Sequence, residues 1–440
     1  MRDYFLDVVE IIKSAITKSE HFTVWFSAES LDFARFNHAQ IRQAGTIDQQ
    51  YIDLDLISGQ KHANATIGLA RDRDTDRQTI AHYVKKLREQ LKQSQKDPFL
   101  MLNEAVHNTE SVSSHSNLDA AAITHEILDL SAGFDLVGCY FGGPIYRGFA
   151  NSFGQINWFE KSSFVVDTSI YYSGDQAIKQ NYADISFNKE SLEEKIESAK
   201  SGLSLFQQGC QKIPKGQYRV YFSPTAVYEI LSLINWGGFS KKALEVKNSP
   251  LMPLRTGQKE LSSAFSLSEN IKDGLGPNFQ SQGFMKQASL PIIEDGRLMN
   301  TLISPKTAKE YGLDHNGADV DETMCSMDMR PGDLSERDVL KTLGDGLYIN
   351  NLWYLNFSDR QNGCLTGMTR FLCVVVKNGK PLAPFSVMRF DDSIYRLFGE
   401  NLLHITSDRQ MIIDTNTYDE RATSCAILPG FIAENVRFTL

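Results

Sequence analysis

Few residues in this 440-residue chain have types and spacing that could do chemistry. His125-Glu126 is its one His-Glu pair. A zinc helix of the HExxH type needs a second imidazole one turn on, so that both ligands share a face. Asp129 stands there, and the pair reads as a surface position on an amphipathic helix. Cys425 and His404 are the types of a nucleophile and its base, yet no spacing brings them together, and a buried thiol is often a small apolar residue. Gly142-Gly143-Pro144 and Gly237-Gly238 lack the Lys-Ser/Thr of a phosphate loop and read as turns. Asp319, Asp321 and Glu322 lack the spacing of a calcium loop and read as a solvated loop. A polar stretch, Gln361 to Arg370, lies between two apolar runs and carries Asn362, Thr366, Thr369 and Arg370. A loop held by a rigid sheet is a common place for function; a purely structural crossover is the competing reading.

The elements around that stretch form a core. Leu347, Ile349, Trp353, Leu355 and Phe357 share one parity, which predicts a strand with one buried face. Phe371 to Val376 is apolar throughout, and Asn378-Gly379 suits a tight hairpin leading back through Phe385, Val387 and Met388. This predicts a strand, an irregular polar loop from Gln361 to Arg370, and a buried hairpin.

Upstream, residues 4–18 carry a helical apolar stripe, followed by alternating runs from His21 to Ala70. Asp76 is the expected cap of the next helix. A second unit has the same order, with a helix starting at Asn117, a run of strands, and a helix opened by Ser191. From about Gly216 the pattern changes. YRVYFSP is a strand, Pro224 starts the helix TAVYEILSLIN, and a hairpin turns at Asp295-Gly296. Residues 247–283 are expected to be a long ordered loop, and LLHIT, MIID, SCAIL and VRFTL to be four short strands. The fold class is α+β: two N-terminal helix–meander–helix units, 1–102 and 103–212, then a larger, mixed, mainly antiparallel β domain with helices, 213–440.

Hydrophobic residues at 42% and charged residues at 22% describe an ordinary globular chain. The net charge of −9 argues against nucleic acid as a partner. No apolar run approaches the ~20 residues that span a bilayer, so no membrane is implied. The first 20 residues have acids within their apolar stretch and do not look like a signal peptide. Six scattered cysteines with no CxxC fit reduced thiols in a cytoplasmic protein.

Several segments together resemble the TldD/PmbA family, the TldDE peptidase subunits also called modulators of DNA gyrase. Arg35-Phe36-Asn37 with Ile41-Arg42-Gln43 is similar to its "RFANxxIxQ" element, and Arg147 to Ser152 with Gly154 to "ANSxG". Asn278 to Gly312 resembles the "FDxEG…IIxDGxLxxxL" segment, and Gly346 to Phe390 its "GLLVTxLW…VENGxxxxPV" core. In TldD-type subunits, as the resemblance implies, HExxxH supplies two zinc ligands and the base, and a cysteine near the C-terminus the third ligand. The matching helix here, Thr225 to Asn235, has no histidine, and Glu229 is its one acid. Cys425 stands where the family's cysteine would be, as a remnant or a packing residue. Gln280 and Gln282 replace family carboxylates, and Cys364 to Arg370 replaces "GDYSRG".

The chain is therefore expected to be a PmbA (TldE)-type, non-catalytic subunit that binds no metal or other cofactor itself. Its partner would be a zinc-bearing HExxxH subunit, and its ligands extended peptides. Asn362, Thr366, Thr369, Arg370, Gln280 and Gln282 are the residues expected to face the peptide chamber. The alternative is a stand-alone homodimer that binds peptides or another ligand without hydrolysis. A third option is an enzyme working through Cys364 or Cys425.

Overall fold

The computed structural model describes residues 1–113 and 118–439. The chain is α+β, with two large sheets. Helix α1 (Arg2–Ala15) buries Phe5, Val8, Val9, Ile11 and Ile12. The meander β1 (His21–Asn37), β2 (Gln40–Ser58), β3 (Lys61–Gly68) and helix α2 (Arg73–Gln93) follow. His38 and Ala39 both take positive φ, which closes the first hairpin. Next come β4 (Thr109–Val112), α3 (Ala120–Leu130), β5 (Asp135–Asn151), β6 (Ile156–Ser173), β7 (Gln176–Asp184) and α4 (Lys189–Leu203). The helix–meander–helix order holds in both units. They share one seven-stranded sheet, because β1 pairs antiparallel with β5 from Thr23–Asn151 to Phe36–Gly138.

Two expected caps shift. Asp72 caps α2, accepting from Thr75 N at 2.8 Å. Asp76 lies buried one turn on and accepts from the Tyr4 hydroxyl at 2.6 Å. Asn188, ahead of Ser191, caps α4 through Ser191 N at 2.7 Å. In both cases the cap must sit three residues before the donor it satisfies, which moves it upstream of the residue that sequence pattern favours. The expected start at Asn117 lies outside the described residues, and Asp119 caps α3 through Ala122 N at 3.0 Å.

The C-terminal half contributes β8 (Gly216–Phe222), α5 (Pro224–Asn235), β9 (Leu267–Glu269), β10 (Leu290–Glu294), β11 (Arg297–Leu298) and β12 (Ser326–Met329). It continues with β13 (Gly346–Asp359), β14 (Cys364–Lys377), β15 (Lys380–Pro384), β16 (Arg389–Ser393), β17 (Leu402–Ile413) and β18 (Cys425–Phe438). These strands form an eleven-stranded sheet, antiparallel except where β13 meets β8 and β12 meets β18. Val227, Ile230 and Leu231 of α5 join Phe222, Ile349 and Phe431 in its core.

Three expectations are corrected here. The four short C-terminal strands are two long ones, β17 and β18, whose mutual pairing resumes beyond a register shift at Ile405–Arg409. The polar stretch Gln361 to Arg370 is not an irregular loop. Only Arg360 to Gly363 turns; from Cys364 onward the chain is strand, because β13 runs to Asp359 and absorbs its mismatch with β14 in bulges. Residues 247–283 are not wholly loop, since they include a short helix at Met252–Arg255 and β9.

One ion pair ties α1 to α2. Glu20 takes two hydrogen bonds from Arg88, at 2.7 and 2.8 Å, and one from Thr17 N at 2.8 Å. Arg88 also donates to the Ala15 carbonyl at 2.7 Å. The Arg88 bonds hold the Glu20 carboxyl down to about 2. A carboxyl lowered in the folded state stabilises fully above its unfolded value, and that contribution fades as pH falls towards the folded one. Glu20→Gln should cost about 1–2 kcal/mol near neutral pH. The gap between wild type and variant should hold down to about pH 4.5 and close towards about pH 2, measured by denaturant unfolding across that range.

Candidate functional site

Helix α5 and the start of β18 occupy the positions where family resemblance places zinc ligands. The helix begins cleanly, with the Ser223 hydroxyl accepting from Ala226 N (3.3 Å) and Pro224 in its first turn. Ala226, Val227, Ile230, Leu231 and Ile234 are buried, leaving Tyr228, Glu229 and Ser232 outside that buried set. Burial raises the Tyr228 hydroxyl, with Asp414 adding to the effect. Glu229 is exposed by surface area, yet crowding around its carboxyl raises it, opposed by Lys179 of β7. Lys179 in turn pairs with Asp167 at 3.0 Å.

β7 is a sheet edge, hydrogen-bonded to β6 on one side. Side-chain amides reach its backbone from the C-terminal half. Asn350 donates to the Lys179 carbonyl (3.2 Å) and Gln410 to the Asn181 carbonyl (2.7 Å). The edge is thus occupied from within the chain.

Cys425 opens β18, pairing in parallel with Ser326 and antiparallel with Ile413. It is 3% exposed and packs with Leu31, Phe141, Val165 and Leu275. Its sulfur lies 3.8 Å from the Ser326 hydroxyl, and burial raises its pKa. Zinc needs deprotonated thiolate and imidazole donors converging within bonding distance. Among the described residues no three His, Cys, Asp or Glu side chains converge to hold a metal ion. With one carboxylate and no imidazole on α5, the donor set here does not fit the family's zinc.

The other predicted residues do not converge. From Cys364 to Arg370, the odd positions Leu365, Gly367 and Thr369 are buried and the even positions are partly open. Thr369 is structural, its hydroxyl accepting from Met388 N at 2.9 Å. Thr366 faces the other way and accepts from Arg389 Nε at 3.0 Å. Asn362 lies in the turn, bonded to Asp359 at 2.7 Å, and lines a groove of about 1240 Å³ with Cys364, Lys259, Asp392 and Arg437. Arg370, near the middle of the strand, stacks on Trp353 at 4.3 Å. Trp353 and Tyr354 are 52% and 78% exposed, and Trp236, beside Arg360, is 66% exposed. From Leu352 to Asp359, β14 is the only described strand paired with β13. Exposed aromatics and stacked arginines on an open edge have the composition of an interaction surface.

Gln280 and Gln282 lie in a tight turn docked on the N-terminal sheet. Gly283 O accepts from Asn103 (2.6 Å) and Gln155 (2.8 Å). Phe279 packs edge-on against Trp25 at 5.6 Å. The Gln280 side-chain oxygen takes the Gln282 backbone N–H, leaving Gln280 Nε2, Gln282 Oε1 and Asn278 Oδ1 buried without a partner among the described residues. The turn therefore serves as a contact between the halves. The acidic run is also not simply solvated. Glu322 is 1% exposed and accepts from Ser240 Oγ (2.6 Å), Lys242 N (3.0 Å) and Ser304 N (2.8 Å). Sequence reasoning missed this, and also missed the packing of Asp319 against Lys286. Neither has a local signal, since the partners lie tens of residues away in sequence.

A family model described as the PmbA/TldA metallopeptidase C-terminal domain matches residues 215–439. The chain belongs to the PmbA/TldD family. Its fold is that of TldE from Thermococcus kodakarensis, at a TM-score of 0.79 and 14% identity over 99% of this chain and 100% of that one. A protein from Thermotoga maritima named as a modulator of a DNA gyrase is similar at TM-score 0.75 and 14% identity, over 100% of each chain. One from Bacteroides thetaiotaomicron, also named as a modulator of DNA gyrase, has TM-score 0.76 and 15% identity, over 100% of this chain and 98% of that one. At these identities the likeness is one of fold. No curated protein matches the chain.

The docking turn of this PmbA/TldD-family chain depends on Gly283. Its φ is +81°, and a Cβ there would meet the Phe149 ring at 2.2 Å. Gly283→Ala should destabilise the protein by more than about 2 kcal/mol in thermal or denaturant melts, because both the backbone and the ring would have to move.

Proposed function

We propose that this chain is the non-catalytic, TldE-like member of a two-subunit peptidase that processes unfolded peptides. One observation carries the reading. Helix α5, which matches the family's zinc helix, carries Glu229 as its one acid and no histidine, on an otherwise retained fold. Glu229 cannot hold a catalytic zinc alone, and the Cys425 thiol is packed among apolar side chains. Zinc and the general base belong to a cytoplasmic HExxxH-bearing partner. This chain supplies part of the chamber wall, and extended peptides bind there mainly through main-chain hydrogen bonds. Among the described residues no helix is long and apolar enough to cross a membrane. The aromatic and arginine surface around Trp353, Tyr354 and Arg370 supports a protein-facing role.

Metal analysis with peptide cleavage, on the chain alone and mixed with an HExxxH subunit, tests the proposal. Cleavage should appear only in the mixture, with zinc held by the partner and the melting temperature of this chain alone unmoved by chelators. Stoichiometric zinc and cleavage by this chain alone would overturn the reading. Tight peptide binding with no partner and no turnover in any mixture would favour the homodimeric binding protein instead. In the active pair, Arg370→Ala should lower turnover about tenfold, roughly 1.4 kcal/mol, with assembly unchanged by size-exclusion chromatography. Unaltered turnover would remove Arg370 from the chamber.

A further inference from the structure

A closed triangle of reactive side chains lies between the docking turn and β12. Lys286 Nζ is 2.6 Å from Asp319 Oδ2 and 3.4 Å from the Cys325 sulfur. The same sulfur is 3.3 Å from Asp319 Oδ2. The Lys286 side chain is 8% exposed, so its amine is held in one place. The backbone around the thiol is held too, since Glu269 accepts from Cys325 N (3.0 Å) and Ser326 N (3.1 Å). Burial works against the lysine's charge and the Asp319 and Glu269 carboxylates answer it, while burial pushes the Cys325 thiol up, so the sulfur rests as a thiol donating to Asp319. Beside Lys286 and Asp319 is a cavity of about 20 Å³ that Glu269 also lines, room for about one water. Cys325 keeps partial solvent exposure. Among the described residues no other cysteine has a lysine nitrogen within hydrogen-bond range.

We propose that Lys286 and Cys325 are a covalent modification site, joined through one oxygen as a nitrogen–oxygen–sulfur bridge when the protein meets a peroxide. Amine and thiol are in direct contact at 3.4 Å, close enough for a single oxygen to join them after a small shift, in a site that holds both still and offers Asp319 as the proton acceptor. Three steps balance the chemistry. The Cys325 sulfur attacks one peroxide oxygen, the O–O bond breaks, and a sulfenic acid and water result. The Lys286 ammonium passes a proton to Asp319, and its nitrogen attacks a second peroxide, forming a hydroxylamine and a second water. The sulfenic acid and hydroxylamine then condense, forming the S–O–N bond and releasing a third water. Sulfur and nitrogen each lose two electrons, and each peroxide takes two. The bridge ties the end of the docking turn to the first residues before β12. It is independent of the peptidase reading, since it involves neither α5 nor Cys425.

The test is mass spectrometry of the intact wild-type chain after hydrogen peroxide, digested without reductant. The expected product joins the peptides containing Lys286 and Cys325, heavier by one oxygen and lighter by two hydrogens, about 14 Da, and is cleaved by a thiol reductant. Cys425→Ser should still form it, and Cys325→Ser and Lys286→Arg should not. Cys325 found unreacted, oxidised to a free sulfur acid, or bonded directly to nitrogen (a loss of about 2 Da) would overturn the proposal.

Discussion

Arg421 is 1% exposed, and its guanidinium bonds to the Gly143 carbonyl (3.0 Å) and to the Ser163 carbonyl (3.0 Å) and hydroxyl (2.7 Å). Its backbone N–H donates to Glu29 at 3.0 Å. Burial lowers its pKa to about 10, which still leaves a cation at neutral pH. A buried cation without partners is strongly disfavoured, so this residue is tolerable only where carbonyls and a nearby carboxylate answer it. Arg421 belongs to the segment between β17 and β18, four residues before Cys425. The last strand of the C-terminal sheet thus begins at a point clamped to the N-terminal sheet. Arg147, 4% exposed, completes the clamp from the other side by pairing with Glu420 at 3.1 Å.

The same logic governs the other junctions between the two halves. Gly283 presents its carbonyl to Asn103 and Gln155, and Asn350 and Gln410 answer the carbonyls along the β7 edge. These are polar contacts to backbone, made by side chains whose partners lie more than 100 residues away. Apolar packing alone would let the sheets slide. Directional bonds to carbonyls give one seating, and they also seat α5, β7 and β17 around Glu229 and Lys179.

Helix α5 shows how much of a helix the scaffold alone dictates. Helix α5 keeps its cap, its proline and its buried face, all of which the sheet core requires. Tyr228 and Leu233, outside that buried face, also pack against the same core. Cys425 sits at the opposite extreme. It has become part of an apolar cluster with Leu275 and Val165, where a thiol serves as well as any small hydrophobic residue.

Much of the architecture was legible in the residue pattern. The period of apolar residues marked both helix–meander–helix units, Asp295-Gly296 and Asn378-Gly379 marked turns, and the segment Thr225 to Asn235 holds no histidine. These signals are local, because strand and helix periods, turn chemistry and ligand types are written within a few residues. What the sequence could not decide is what depends on distant partners. Asp76 looked like a cap and is a buried acceptor for Tyr4; Glu322 looked solvated and caps two distant segments. Gln361 to Arg370 looked like one functional loop. The register of β13 on β14 made it a short turn followed by strand, sending Thr369 into the core and leaving Thr366 and Arg370 on the open face. Alternation along a strand is set by pairing register, and register is a property of two strands together, so only the tertiary structure could assign those side chains to their faces.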